Sequence, residues 1–213
     1  MKISLFSAQL ESSDYLFEDD ATQFSNLLNE IGYYSALFVY HSKSIDYLLM
    51  SARVLNRSHS FKYMFAIRTY AISPEYCAML VRSFNRIQPG RISLNIVAGD
   101  IHSEENSINN VVMISDLIDT VEKRTKYTGE WLSKFMPLIK NIDVDIIISG
   151  YSDNTNDNAD KYGDEQLCML STYKEEMYDK IKTDGKMVSV PIYISDIPIE
   201  EYEKVKYNNM VDS

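Results

Sequence analysis

The sequence is poor in cysteine, proline, glycine and histidine, with 2 Cys, 5 Pro, 7 Gly and 3 His in 213 residues. So few cysteines exclude a disulfide-stapled secreted scaffold. Cys77 and Cys168 fall inside a predicted helix and a predicted strand, where a thiol serves as a small buried hydrophobe. The histidines His41, His59 and His102 stand apart, and no His/Cys/Asp cluster has ligand spacing, so no metal site is expected. No internal repeat and no low-complexity segment appears, and scarce glycine and proline exclude a collagen-like chain. No apolar run approaches the ~20 residues of a membrane span, and nothing resembles a leader, so no membrane partner and a cytoplasmic location are expected. Basic residues are also in deficit, 21 Lys and Arg against 31 Asp and Glu. The net charge of −10 argues against nucleic acid, whose phosphates select clustered Lys and Arg.

What is present is an ordinary globular composition, 45% hydrophobic, with length enough for one substantial core. A single domain over residues 1–213 is expected. Its centre is Phe61–Glu105, which reads as strand, helix, strand. Phe61–Thr69 is a short apolar and aromatic run. Ser73-Pro74-Glu75 is a helix start, with Ser at the N-cap, Pro at the first helical position and an acid in the first turn. Tyr76, Met79, Leu80, Phe84 and Ile87 follow helical spacing until Pro89-Gly90 stops the helix. Arg91–Val97 is a second, nearly continuous apolar strand ending in Ala98-Gly99-Asp100. Strands joined this way run parallel, with a right-handed crossover.

The same alternation extends in both directions. Strands are expected at Lys2–Ala8, Tyr34–Tyr40, Val144–Ile148, Glu165–Leu170 and Met187–Ile194. Helices are expected after Glu18-Asp19-Asp20, over Ser44–Leu55, Lys126–Lys140, Thr155–Tyr162 and Tyr173–Lys182, and from Pro198. Residues Asp100–Thr120 carry no sustained period and read as a loop. About seven strands alternating with helices argue for an α/β fold with a parallel sheet. The pattern alone does not separate an open sheet from a barrel.

The stretch AIR…SPEYCAMLVRSFNRIQPGRISLNIVAGD carries a resemblance as well. Arg68 after a strand, the Ser73-Pro74 helix, the Phe84-Asn85-Arg86 segment, the Gly90-Arg91 turn and the Ala98-Gly99 strand end resemble the bacterial luciferase-like, flavin-dependent monooxygenases, in particular their alkanesulfonate monooxygenase branch. The region DIIISGYSDNTNDNADKYGDEQLCML is similar, more loosely, to that family's strand, Gly-Gly-Ser-Ser, helix, Asp, strand segment. The resemblance implies a TIM-type (β/α) barrel, here incomplete, because no eighth strand and no substrate-lid insertion can be found. It also implies FMN, with reduced flavin and O₂ acting on a small organic substrate. The alternative is a degenerate, non-catalytic member that binds flavin or serves as a partner subunit. A flavin reductase is a possible electron donor. Unpaired edge strands would favour a homodimer or heterodimer.

In such a barrel the site lies at the C-terminal ends of the strands. Asn95 and the small pair Ala98-Gly99 close the strand after the Gly90-Arg91 turn. The resemblance makes them a flat floor for the flavin ring; the plainer reading is that Gly99 turns the chain. Gly150, Tyr151 and Ser152 open the helix after Val144–Ile148, where amides at a helix N-terminus can cradle a phosphate. A simple capped turn is the other reading. Tyr127, in KRTKYTGEW, matches a family tyrosine that reaches the same phosphate, although the chain has 16 tyrosines. His41 ends a predicted strand and aligns with a family histidine that supports the flavin chemistry. It can act as acid or base near neutral pH, or be a surface residue capping a loop. The family's thiol is absent, its position being Ile45, and its Arg and His on the strand near Val190–Ser195 are absent too.

Overall fold

The structure, a computed structural model, describes residues 26, 30, 35–38, 48, 49, 52, 62–99, 118–150, 152–169 and 187–189. Among them the strands are β1 (Ser35–Phe38), β2 (Lys62–Arg68), β3 (Ile92–Val97), β4 (Asp145–Ser149), β5 (Glu165–Met169) and β6 (Met187–Ser189). The helices are α1 (Pro74–Ile87), α2 (Val121–Ile139) and α3 (Asp153–Tyr162). The predicted strand at Lys2–Ala8, all of the helix predicted after Glu18-Asp19-Asp20 but residues 26 and 30, the predicted helices over Tyr173–Lys182 and from Pro198, and His41, His59, His102 and Tyr151 lie outside the described residues.

All six strands are parallel and hydrogen-bonded in strict chain order, β1 through β6. An open doubly wound sheet would reverse its order once and carry helices on both faces. Here the helices share one face. Tyr63, Phe65, Ile67, Ile92, Leu94, Ile96, Ile146 and Ile148 pack under Cys77, Ala78, Val81, Phe84, Trp131, Leu132, Phe135 and Ala159 of the helices. The alternate strand positions Leu37, Met64, Ala66, Ile147 and Leu167 form a second cluster with no helical member. Helices outside, strand side chains meeting inside, and sequential order define a TIM-type (β/α) barrel. The described strands are an incomplete barrel of that type.

Each helix starts where its N-cap dictates. Ser73, Thr120 and Ser152 accept from the amides of Tyr76, Lys123 and Thr155. Thus α2 begins five residues before the predicted Lys126, because Thr120 offers a cap that the apolar periodicity does not show. The buried face of α1 also differs from expectation. Tyr76, Met79 and Ile87 are 53%, 47% and 44% exposed, whereas Cys77, Ala78, Val81 and Phe84 are buried. Small residues at 77 and 78 let the helix axis approach the sheet, and the bulkier neighbours are turned to the flank. In the predicted helix Ser44–Leu55, Leu49 is exposed, while Leu48 and Ala52 pack on the outer cluster.

The sheet's N-terminal end is closed by polar ties. Lys62 Nζ reaches Asp145 Oδ2 at 2.6 Å from β2 to β4. Asp164 accepts from the amide of Ile146 at 2.7 Å, and its own amide donates to the Ile146 carbonyl at 2.8 Å. The aspartate of the resembling segment therefore extends the β4–β5 ladder at the end opposite the candidate site.

Candidate functional site

Because the strands are parallel, all their C-terminal ends lie at one end of the barrel, and the N-termini of the crossover helices return to that same end. The last pairs of the ladder are Arg68 with Val97, Ile96 with Ile148 and Ser149 with Leu167. Asn95, Ala98, Gly99, Gly150 and Ser152 are thereby gathered at this end, along with the first turns of α2 and α3.

The frame is held by side-chain ties between the helices and loops. Thr69 and Thr128 hydroxyls lie 3.0 Å apart, joining the end of β2 to α2. Trp131 Nε1 donates to the Ile72 carbonyl at 2.7 Å. Asn158 Nδ2 donates to the Thr125 carbonyl at 3.1 Å, locking the start of α3 against α2.

Asn95 points into the barrel interior, 1% exposed. Its carboxamide oxygen accepts from the Ser149 hydroxyl, so it ties β3 to β4 just below the site. Ala98 and Gly99 follow. Gly99 has φ +77°, a conformation that favours glycine. The ring of Tyr70 lies against it: a methyl group added at residue 99 would fall 2.7 Å from Tyr70 Cε1 and closer still to its hydroxyl. The aromatic cover on this strand end was not foreseen from the sequence, although Tyr70 stands two residues beyond Arg68 as Gly99 stands two beyond Val97, its partner in the ladder.

At the β4 end, Gly150 has φ +127°, and a side chain there would meet Thr155 Cγ2 at 3.1 Å. Its amide donates to the Leu167 carbonyl at 2.9 Å, and its carbonyl accepts from Gln166 Nε2 at 2.7 Å. Both backbone groups of Gly150 are thus engaged in holding β4 to β5. Ser152 Oγ caps the Thr155 amide at 3.3 Å and meets Thr155 Oγ1 at 2.8 Å. Helix geometry leaves the Asp153 and Asn154 amides as the first-turn donors without an intrahelical acceptor. The Asp153 carboxylate sits in the same turn, where it already complements the helix dipole and opposes a second anion.

Tyr127 is half-buried on the second turn of α2 and packs against the outer cluster. One turn earlier is Arg124, a residue the sequence reading passed over. It is 3% exposed, and its Nη1 donates to the Ile118 carbonyl at 3.1 Å. Its Nε is buried without a hydrogen-bond partner, and no carboxylate pairs with it among the described residues. A buried guanidinium is costly unless an anion answers it. The signal available in the sequence was only its place, in KRTKY beside Tyr127.

No group of His, Cys, Asp and Glu among the described residues could hold a metal ion, and no helix among them is long and apolar enough to cross a membrane.

No family profile and no curated protein matches the chain. Solved structures do match in fold. The oxygenating constituent of 3,6-diketocamphane monooxygenase from Pseudomonas putida, a Type II Baeyer-Villiger monooxygenase in complex with FMN, superposes with TM-score 0.64 at 13% identity over 89% of this chain. Riboflavin lyase, with modified FMN and riboflavin, gives 0.67 at 10% identity over 92%. Long-chain alkane monooxygenase (LadA) gives 0.58 at 12% identity over 81%. The chain spans 64%, 60% and 56% of these three proteins. At such identities the likeness is one of fold, a TIM-type barrel.

Proposed function

We propose that this chain binds FMN at the C-terminal end of its barrel and belongs with the luciferase-like flavin-dependent monooxygenases, acting with reduced flavin and O₂ on a small organic substrate. The observation that carries the reading is the convergence of a small-residue strand end, Ala98-Gly99, with a glycine-led helix start, Gly150–Asn154, at one end of a barrel of this fold. The alkanesulfonate branch remains part of the reading through the Arg68 to Gly99 residues.

The residues fit the group in part. The Asp153 and Asn154 amides, with Tyr127 and the buried Arg124 supplying donors and positive charge, would hold the phosphate. Ala98-Gly99 would flank the ring. Asn95 and Ser149, bonded to each other beneath the site, fix the floor. Bound flavin would supply the redox chemistry that no side chain here can supply. The protein's part is to bind, orient and exclude water. His41, outside the described residues, is proposed as an acid or base for the reaction.

A second reading is favoured by a specific observation. Gly150's amide is spent in the sheet and Asp153 places a negative charge in the first turn of α3, both of which weaken a phosphate site. A non-catalytic flavin-binding or partner-subunit member of the same group would tolerate that. The proposed partners are a flavin reductase in the first case and a second subunit, identical or related, in either.

Titrating the purified protein with FMN, followed by flavin absorbance and fluorescence, tests both. Micromolar binding with transfer of one oxygen atom from O₂ to an organic substrate, the other leaving as water at the expense of reduced FMN, supports the enzyme. Binding without turnover supports the flavin-binding form of the second reading, and no binding at either redox state removes the enzyme and leaves only the partner-subunit form.

A further inference from the structure

Helix α3 has almost nothing apolar to hold it in place. Ala159 and Tyr162 are its only apolar side chains, and Thr155 and Ala159 its only buried residues. Burial on that scale stabilises too little to fix where a helix sits. Carboxamides fix it instead. On one flank Asn156 Oδ1 accepts from Gln166 Nε2 at 2.8 Å. On the other, Asn154 and Asn158 have the i, i+4 spacing that shares one helix face, and both turn to Thr125 of α2. Asn158 Nδ2 donates to the Thr125 carbonyl at 3.1 Å, and Asn154 Nδ2 to the Thr125 hydroxyl at 3.4 Å. This approach needs residue 129 bare: a methyl group on Gly129 would fall 2.6 Å from Asn158 Oδ1. Gly129 lies inside α2 without a positive φ, so what glycine supplies there is space, with a loss of helix propensity.

We propose that Asn158 is a positioning residue for the candidate site: reaching over Gly129, it latches α3 onto α2 and so sets the first turn of α3 against the part of α2 that carries Arg124. Arg124 adjoins Thr125 in the chain, is 3% exposed and has its Nε unpartnered. The Asn158–Thr125 bond therefore couples the placement of the Asp153 and Asn154 amides to a buried positive charge, the two features that an anion would use together. The inference rests on the flavin reading for the identity of that anion, the FMN phosphate, and on the Gly129–Asn158 contact for the latch. A molecule in which α3 has come away from α2 does not hold the phosphate, so apparent affinity falls with the docked fraction.

Two measurements on the full chain test this, each made on the native protein, Asn158→Ala, Gly129→Ala and the double variant. In the first, thermal unfolding is followed without ligand. Alanine at residue 129 gains helix propensity in both backgrounds but meets a carboxamide only where Asn158 is present. The Tm change on Gly129→Ala should therefore be more favourable in the Asn158→Ala background; equal changes would mean that Asn158 does not rest on Gly129 and would overturn the latch whatever the ligand. In the second, FMN and riboflavin affinities are read by flavin fluorescence, riboflavin having the ring without the phosphate. Each single variant should bind FMN about tenfold more weakly, with riboflavin affinity unchanged, and the double variant no more weakly than either, since both changes remove the same bond. Gly129→Ala keeps a Tm close to the native one, so its loss of FMN affinity is not a loss of fold. Native FMN affinity in both single variants, or an equal loss for FMN and riboflavin, overturns the positioning role and leaves the flavin reading intact. Absence of FMN binding by the native protein overturns the flavin reading and the positioning role with it.

Discussion

At the residue scale the best-defined group is Cys77, a free thiol buried under α1. Burial away from water penalises the thiolate and pushes its pKa up to about 12. The folded state therefore keeps a proton that the unfolded chain releases above the ordinary thiol range. Between roughly pH 9 and 12 folding is linked to proton binding, and stability falls as pH rises. Cys77→Ala removes that slope; urea unfolding of both proteins between pH 8 and 10.5 (about the practical range for this comparison) should show the native protein losing more stability on going alkaline. The same burial makes the thiol inert. A thiol reagent at neutral pH should label Cys77 only at the rate of unfolding.

The element scale is governed by helix starts. Ser73→Ala removes the hydroxyl that accepts from the Tyr76 amide at 3.2 Å, and should cost about 1 kcal/mol in denaturant unfolding. Ser152→Ala should cost a similar amount by the same loss at Thr155. Its ligand behaviour is the more informative part: a phosphate held at the start of α3 would lose affinity as well, whereas a purely capping serine would leave FMN binding unchanged. Asp153→Asn acts in the opposite sense. It withdraws a carboxylate from the N-terminal turn, which costs the helix about 0.3–1 kcal/mol, but it also removes repulsion against a bound phosphate. FMN affinity should rise severalfold in Asp153→Asn, the more so at low ionic strength where charges are less screened, and an affinity indifferent to this substitution would place the phosphate elsewhere.

Taken as a whole, the molecule is most deeply protected where both sheet faces are covered. Tyr63, Phe65, Ile92, Leu94, Ile96 and Ile146 are essentially fully buried beneath α1 and α2. Amides of β2, β3 and β4 should therefore be the slowest to exchange in hydrogen-exchange mass spectrometry, opening only with global unfolding. If β1 or β6 exchanged as slowly as β3, stability would be spread evenly over the sheet and not centred on β2–β4. FMN, if bound at the C-terminal end, should further protect the Arg68–Ile72 and Ser149–Thr155 segments, since a ligand of the folded state stabilises what it touches.

Much of this architecture was legible in the residues themselves. The Ser73-Pro74 start, the Gly90-Arg91 turn and the Ile92–Val97 run are local signals, set by capping chemistry, allowed φ and period, and they stand within a residue of expectation. The resemblance around Arg68 to Gly99 pointed to the barrel that the strand order then showed. What the chain alone did not reveal are relations between residues distant in sequence. Periodicity marks which positions of α1 are apolar, but only packing on β2 and β3 decided that Cys77 and Ala78, and not Tyr76 and Met79, face the sheet. A glycine before a helix reads as an open cradle, yet Leu167 and Gln166, on the neighbouring strand, take up the backbone of Gly150. Gly99 reads as a bare strand end, and Tyr70, brought beside it by the parallel register of β2 and β3, covers it. Hydrogen-bond satisfaction and steric contact across strands are properties of the assembled sheet, so the tertiary structure, and not the local sequence, decided which groups of the site are open.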